Sequence, residues 1–190
     1  KSTHAKKPVV TTAKKTTPAN KPVAKPTPKP VDPEAEKAAF EKAITEESLE
    51  TKAKDIEKFL LDFPKSELGG RALESLAAAR ASIADQLLES GDADKAVVMF
   101  KQAVGNAPTP YPERLFNGII SKIPANLFWR GQRMAAVEIA AIIEKNASQN
   151  SAQLLALATF YLGVENGVEA KRITQAALKL DENSADAHQT

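Results

Sequence analysis

Residues 151–184 read SAQLLALATFYLGVENGVEAKRITQAALKLDENS. Leu154, Leu157, Ala158 and Tyr161 recur at three- and four-residue steps, which places them on one face of an α-helix. Ala170, Ala177 and Leu178 do the same on a second helix. Working outward, the same grammar continues. Gly91 suits a left-handed helix terminus and Asp92 a cap for a helix carrying Ala96, Val97, Phe100, Ala103 and Val104. Near the front, Asp32 and Pro33 form a start signal, and Glu34 and Glu36 favour the positive end of the helix dipole. Ala39, Phe40, Ala43 and Ile44 make a first apolar stripe. A junction of sequence TEES at 45–48 then leads to a second stripe of Leu49, Ala53, Ile56, Phe59, Leu60 and Phe63. Pro64 ends that helix, because it cannot donate to a continuing ladder and disfavours helical geometry at Phe63. A third helix is expected from about Glu67. Strand-type alternation is missing from residue 32 onward, and no Asn-Gly or Asp-Gly pair separates two alternating runs. The expected class is all-α.

The composition changes sharply near Asp32. All eight lysines at 1, 6, 7, 14, 15, 21, 25 and 29 precede this first acidic residue, so the front segment carries +8 and the remainder, with 18 basic against 24 acidic residues, carries −6. Residues 1–31 hold Lys, Pro, Thr, Ala and Val and no aromatic residue, a composition that buries too little apolar surface to offset the entropy of ordering. They read as a disordered Lys/Pro-rich tail, stretched by charge repulsion and by polyproline II segments such as KPTPKP at 25–30. Residues 32–190 read as the folded domain, whose negative charge repels phosphate. Nucleic acid is therefore an unlikely partner except through the tail, where no aromatic side chain is present to stack on bases.

The 34 residues at 151–184 resemble a tetratricopeptide repeat through Leu154, Leu157, Ala158, Tyr161, Ala170, Ala177 and Leu178. Residues 77–110 match the same pattern through Ile83, Ala84, Leu87, Gly91, Asp92, Ala96, Phe100, Ala103 and Pro108. Between them, Gly131, Ala136, Ala140 and Ile143 reproduce the second-helix half of a unit, but Pro124 falls where its first helix should be continuous. A weaker copy stands at the front, where Phe40, Phe59 and the run LDFPKS at 61–66 resemble repeat ends of bacterial envelope proteins. The equivalent positions Phe59, Ala103, Ile143 and Ala177 are 44, 40 and 34 residues apart, so the early units hold insertions or longer helices. Residues 183–188, NSADAH, look like the opening of a further repeat. The resemblance implies a helical-hairpin solenoid with a right-handed superhelix and about three and a half irregular repeats, in which Ala158 and Ala170 make a close helix contact. It also implies a groove lined by first helices, with Asp85, Leu88 and Glu89 in one unit and Gln153, Leu155, Thr159 and Leu162 in another facing a ligand. Relatives that clamp a carboxylate terminus use Lys and Asn at groove positions that are Ala81, Ser82 and Asp85, or Leu155, Ala156 and Thr159, in this chain; such clamping is not expected.

Catalytic chemistry finds no foothold in the sequence. Cysteine is absent, and the two histidines are His4 and His188, so thiolate chemistry, a triad and a zinc site have no ligands or bases to draw on. The acidic pairs Glu46 and Glu47, Asp92 and Asp94, and Asp181 and Glu182 are expected at helix ends, where capping accounts for them. Gly69, Gly70, Gly105, Gly118 and Gly131 lack the spacing and following Lys-Ser or Lys-Thr of a phosphate loop. The triplet Asn146, Ala147, Ser148 is a formal glycosylation sequon, best explained by chance. No catalytic, cofactor or metal site is expected. Phe116, Phe128 and Trp129, beside Arg114 and Arg130, are expected to fill core around the Pro124 break, with a partner anchor through Trp129 and Arg114 as the competing reading.

The expected function is a non-catalytic scaffold that binds a protein or peptide through its groove. The alternatives are an electrostatic tether to an anionic polymer through the tail, the regulatory or assembly part of a larger enzyme, and self-association through an apolar end of the array. The longest apolar stretch, residues 154–164, is about half the length that spans a bilayer, so no transmembrane segment is expected. Lys1 in place of Met implies processed or further upstream sequence. A bacterial periplasm or cell envelope is the preferred setting, from the spacer-like tail and the front-repeat resemblance, with the cytoplasm as alternative.

Overall fold

The computed structural model describes Lys1 and residues 32–187, with side chains to residue 181; the tail reading falls on residues outside those described. The order is α1 (Pro33–Thr45), α2 (Leu49–Asp62), α3 (Gly69–Glu89), α4 (Ala93–Gly105), α5 (Glu113–Gly118), a single 3-10 turn (Ile120–Lys122), α6 (Ile123–Trp129), α7 (Arg133–Asn146), α8 (Ser151–Gly163) and α9 (Gly167–Ala187). No strand occurs among the described residues.

Several helix boundaries follow from capping chemistry visible in the sequence. Asp32 Oδ1 accepts from the Glu34 amide at 3.0 Å, with Pro33 in the first turn. Ser48 Oγ accepts from the Thr51 amide at 3.4 Å, and Asn150 Oδ1 from the Gln153 amide at 3.0 Å. Each cap satisfies a backbone donor that the helix itself leaves without a partner.

The helices form pairs joined by three-residue connections, and three of these connections share one backbone geometry. Gly91 (φ +89°), Gly131 (φ +86°) and Glu165 (φ +59°) adopt left-handed conformations. Gly91 donates to the Leu88 carbonyl and Asp92 to the Leu87 carbonyl. Gly131 and Gln132 do the same toward Phe128 and Leu127, and Glu165 and Asn166 toward Leu162 and Tyr161. This paired closure is the Schellman arrangement, which stops one helix and reverses the chain. Five residues after each turn residue an alanine is buried: Ala96, Ala136 and Ala170. Its small size lets the second helix lie close against the first. The paired helices α3 and α4, α6 and α7, and α8 and α9 pack against each other, and α2 on α3, α4 on α7 and α7 on α8 link successive pairs.

The core has two parts that meet at α3. Leu76, Ala79 and Ile83 face a cluster with Phe40, Ala43, Ile56 and Phe59, in which the Phe40 and Phe59 rings lie 5.5 Å apart. Ala77, Ala81, Ala84 and Leu88 face a larger cluster that continues through Phe100, Val104, Phe116, Leu127, Ile139 and Ile143 to Ile173 and Ala177. Alanine richness makes α3 narrow enough to be covered on both sides.

Two expectations are corrected. Pro124 does not interrupt its unit: it sits in the first turn of α6, where a missing amide costs nothing. The break lies at Ile119 (φ −133°, ψ −65°), between α5 and the 3-10 turn. Residues 183–187 lie in α9, which runs through to Ala187. For the same reason Asp181 and Glu182 lie within a helix and not at its end.

The connection from α4 to α5 is held by Tyr111, which the sequence reading passed over. Its hydroxyl donates to the Val104 carbonyl at 3.1 Å and accepts from Asn146 Nδ2 at 2.9 Å. Its carbonyl accepts from Gln153 Nε2 at 2.9 Å. One buried residue thereby ties the ends of α4 and α7 to the start of α8, and it occupies the amide of Asn146, the sequon asparagine. Burial pushes the Tyr111 hydroxyl up to about 12 from an ordinary value near 10, against the lowering effect of the Asn146 hydrogen bond.

Two stability measurements follow. Glu165 holds a conformation that disfavours a side chain, and a Cβ at Gly91 meets open space, so backbone preference alone decides both sites. Urea denaturation should show Glu165→Gly more stable by about 1 kcal/mol and Gly91→Ala less stable by a similar amount. Tyr111 ionises at higher pH in the folded protein than in the unfolded chain, so its contribution is complete below pH 10 and is lost as pH rises toward about 12. Tyr111→Phe should lower stability by about 1–3 kcal/mol at pH 7 and flatten the fall in urea midpoint through that alkaline window.

Candidate binding groove

The first helices of successive pairs, α3, the α5–α6 segment and α8, leave three concavities between them. One, of about 440 Å³, is lined by Glu74, Ser75, Ala78, Arg114, Gly118 and Ile119. The next, of about 310 Å³, shares Gly118 and Ile119 and adds Ser82, Asp85, Lys122 and Asn126. The third, of about 470 Å³, shares Lys122 and lies between α6 and α8, with Trp129, Ala156, Thr159 and Phe160 among its walls. The three lie in a row along the first helices, neighbours sharing lining residues, and together make up the groove. Its middle lies against the backbone break at Ile119, which divides the first helix of the central pair into two short pieces.

Polar ties cross the groove between α3 and α6. Asn126 Nδ2 donates to Asp85 Oδ1 at 2.6 Å, Arg130 Nε donates to Asn126 Oδ1 at 3.1 Å, and Arg130 lies 3.5 Å from Glu89 Oε1. Partial burial raises the Asp85 carboxyl above the usual carboxylate range, opposed by the Asn126 hydrogen bond and the nearby Arg130 charge. Asp85 and Glu89 thus serve first as structural ties. Among the described residues no group of three potential metal ligands is brought together, and no helix is long and apolar enough to cross a membrane.

The nominated residues separate into two sets. Leu88 is 8% exposed and Gln153 4% exposed; the first belongs to the core and the second holds the Tyr111 carbonyl, so neither faces a ligand. Arg114, Trp129 and Thr159 line the groove, while Leu155 and Leu162 are exposed on α8. Core filling fails for Trp129, which is 72% exposed, although Phe116 is buried and Phe128 packs edge-on against Phe160 at 6.4 Å between ring centres. Leu88, Phe128 and Leu162 occupy one repeat position, the residue whose carbonyl accepts from the left-handed turn amide. Their burial declines along the chain, from buried through half-buried to 63% exposed. Sequence reasoning placed Ser82 at a groove position and missed Lys122 and Asn126, which line the groove from the α5–α6 segment. Helical register would have shown Lys122 and Asn126 on one face, four residues apart.

Comparison of the chain with family models, curated proteins and solved structures returns no match.

The placements of Leu88 and Leu162 predict opposite responses. Leu88→Ala should cost about 2–4 kcal/mol in urea denaturation, the range for truncating a buried leucine, whereas Leu162→Ala should change stability by less than about 0.5 kcal/mol.

Proposed function

We propose that the folded part of this chain is a tetratricopeptide-type solenoid that acts as a non-catalytic scaffold and receives a polypeptide segment in the groove formed by α3, α5, α6 and α8. The observation that carries the reading is the row of three concavities along the first helices, neighbours sharing lining residues. The repeated left-handed turns support it, since they place a first helix of each of three pairs in the same structural role. A groove of this kind recognises a helix or an extended segment by shape and by side-chain pockets, with no reacting group required. The ties from Asp85 to Asn126 and from Glu89 to Arg130 keep its walls at a fixed spacing, which lowers the ordering cost of binding.

Panning a random twelve-residue peptide library against the full chain tests this. Enriched peptides should lose binding at least about tenfold when Ser82→Arg or Thr159→Arg places a bulky cation on the exposed groove wall, a loss of about 1.4 kcal/mol. They should be unaffected by Lys52→Ser on α2. A library that yields no peptide, or peptides indifferent to both groove substitutions, would refute the proposal.

A further inference from the structure

The concavity between α6 and α8 has an uneven chemistry. Trp129, Phe160, Val164 and Ala156 supply apolar wall, and Ser121 and Thr159 supply hydroxyls. Lys122 is the one charged side chain lining it. It is exposed, and it joins none of the ion pairs formed among the described residues. Two other cations close to this concavity are engaged: Arg130 with Glu89 and Asn126, and Arg172, behind α8, with Glu144 and Glu169. The volume of about 470 Å³ accommodates a large side chain, and Trp129 stands at its rim with most of its ring in solvent.

Resting on the groove reading above, we propose that this concavity is a side-chain pocket for a partner segment in which a large apolar residue is followed or preceded by a carboxylate residue. The apolar side chain enters between Trp129 and Phe160, and the carboxylate reaches the Lys122 ammonium at the mouth. Charge complementarity selects this occupant over the chain's own tail. Residues 1–31 carry eight lysines and no acidic residue, so they bring nothing to Lys122 but repulsion. Burial of the apolar side chain against Trp129 provides most of the affinity, and the ammonium provides the choice between partners, as a partly exposed charge does.

Trp129 is the single tryptophan of the chain, so its emission reports this pocket alone. Four capped ten-residue peptides in a Gly/Ser background, bearing Phe-Glu, Phe-Gln, Phe-Lys or Ala-Glu at the centre, are titrated into the full chain at low salt. Phe-Glu should shift the emission to the blue and bind at least about threefold more tightly than Phe-Lys, with Phe-Gln between them and Ala-Glu silent. Lys122→Glu should reverse the order of Phe-Glu and Phe-Lys. That variant retains the tail, so a preference for Phe-Glu that survives in it would come from the tail lysines and would overturn the assignment to Lys122. Equal response to all three Phe peptides would leave the groove standing and refute the charge selection. No Trp129 response, while library peptides still depend on Ser82, would refute this pocket without refuting the groove; loss of both would refute the two together.

Discussion

Three of the three-residue connections reverse the chain through a residue in the left-handed region, and the groove depends on all three. Once Gly91, Gly131 and Glu165 adopt it, the amides of the turn are closed onto the carbonyls two and three residues before the cap. The next helix then begins at a fixed angle. The buried alanine five residues on sets how near the two helices lie, and that distance decides which larger side chains reach the interface between pairs. The first helices come to share one side of the molecule, and the groove is the space they leave.

How legible each of these steps was in the sequence depends on the residue that carries it. Glycine announces a left-handed turn, and Gly91 followed by Asp92 was readable as a stop and a start. Glu165 gives no such announcement, because the neighbouring geometry imposes a conformation that its own side chain disfavours. Proline drew attention to position 124, where it is harmless in a first turn. The real discontinuity lies at Ile119, a β-branched residue with no breaker character of its own. Tyr111 was hidden among prolines that read only as punctuation. Its role comes from contacts with residues 7, 35 and 42 positions away, which no local pattern encodes.

The groove shows the same division. The repeat resemblance implied groove positions for Thr159, Leu155 and Asp85 on first helices; Thr159 and Asp85 line concavities and Leu155 is exposed. Periodicity could not distinguish Leu88 from Leu162, since both hold the same repeat position and differ only in what packs over them. A core residue in one pair becomes a surface residue in another without any change of residue type. Lys122 and Asn126 share a helical face that register alone could have shown, but the break at Ile119 that precedes them has no sequence signature.

Packing among the described residues joins elements that are close neighbours along the chain, and α3 supplies buried residues to both core clusters. Such a contact map has low contact order: little loop-closure entropy is lost before contacts form, which favours rapid assembly from any one pair outward. It also distributes opening unevenly. Amides around Tyr111 are released only by the concerted opening of three helices, so the junction of α4, α7 and α8 is a firm point among the described residues.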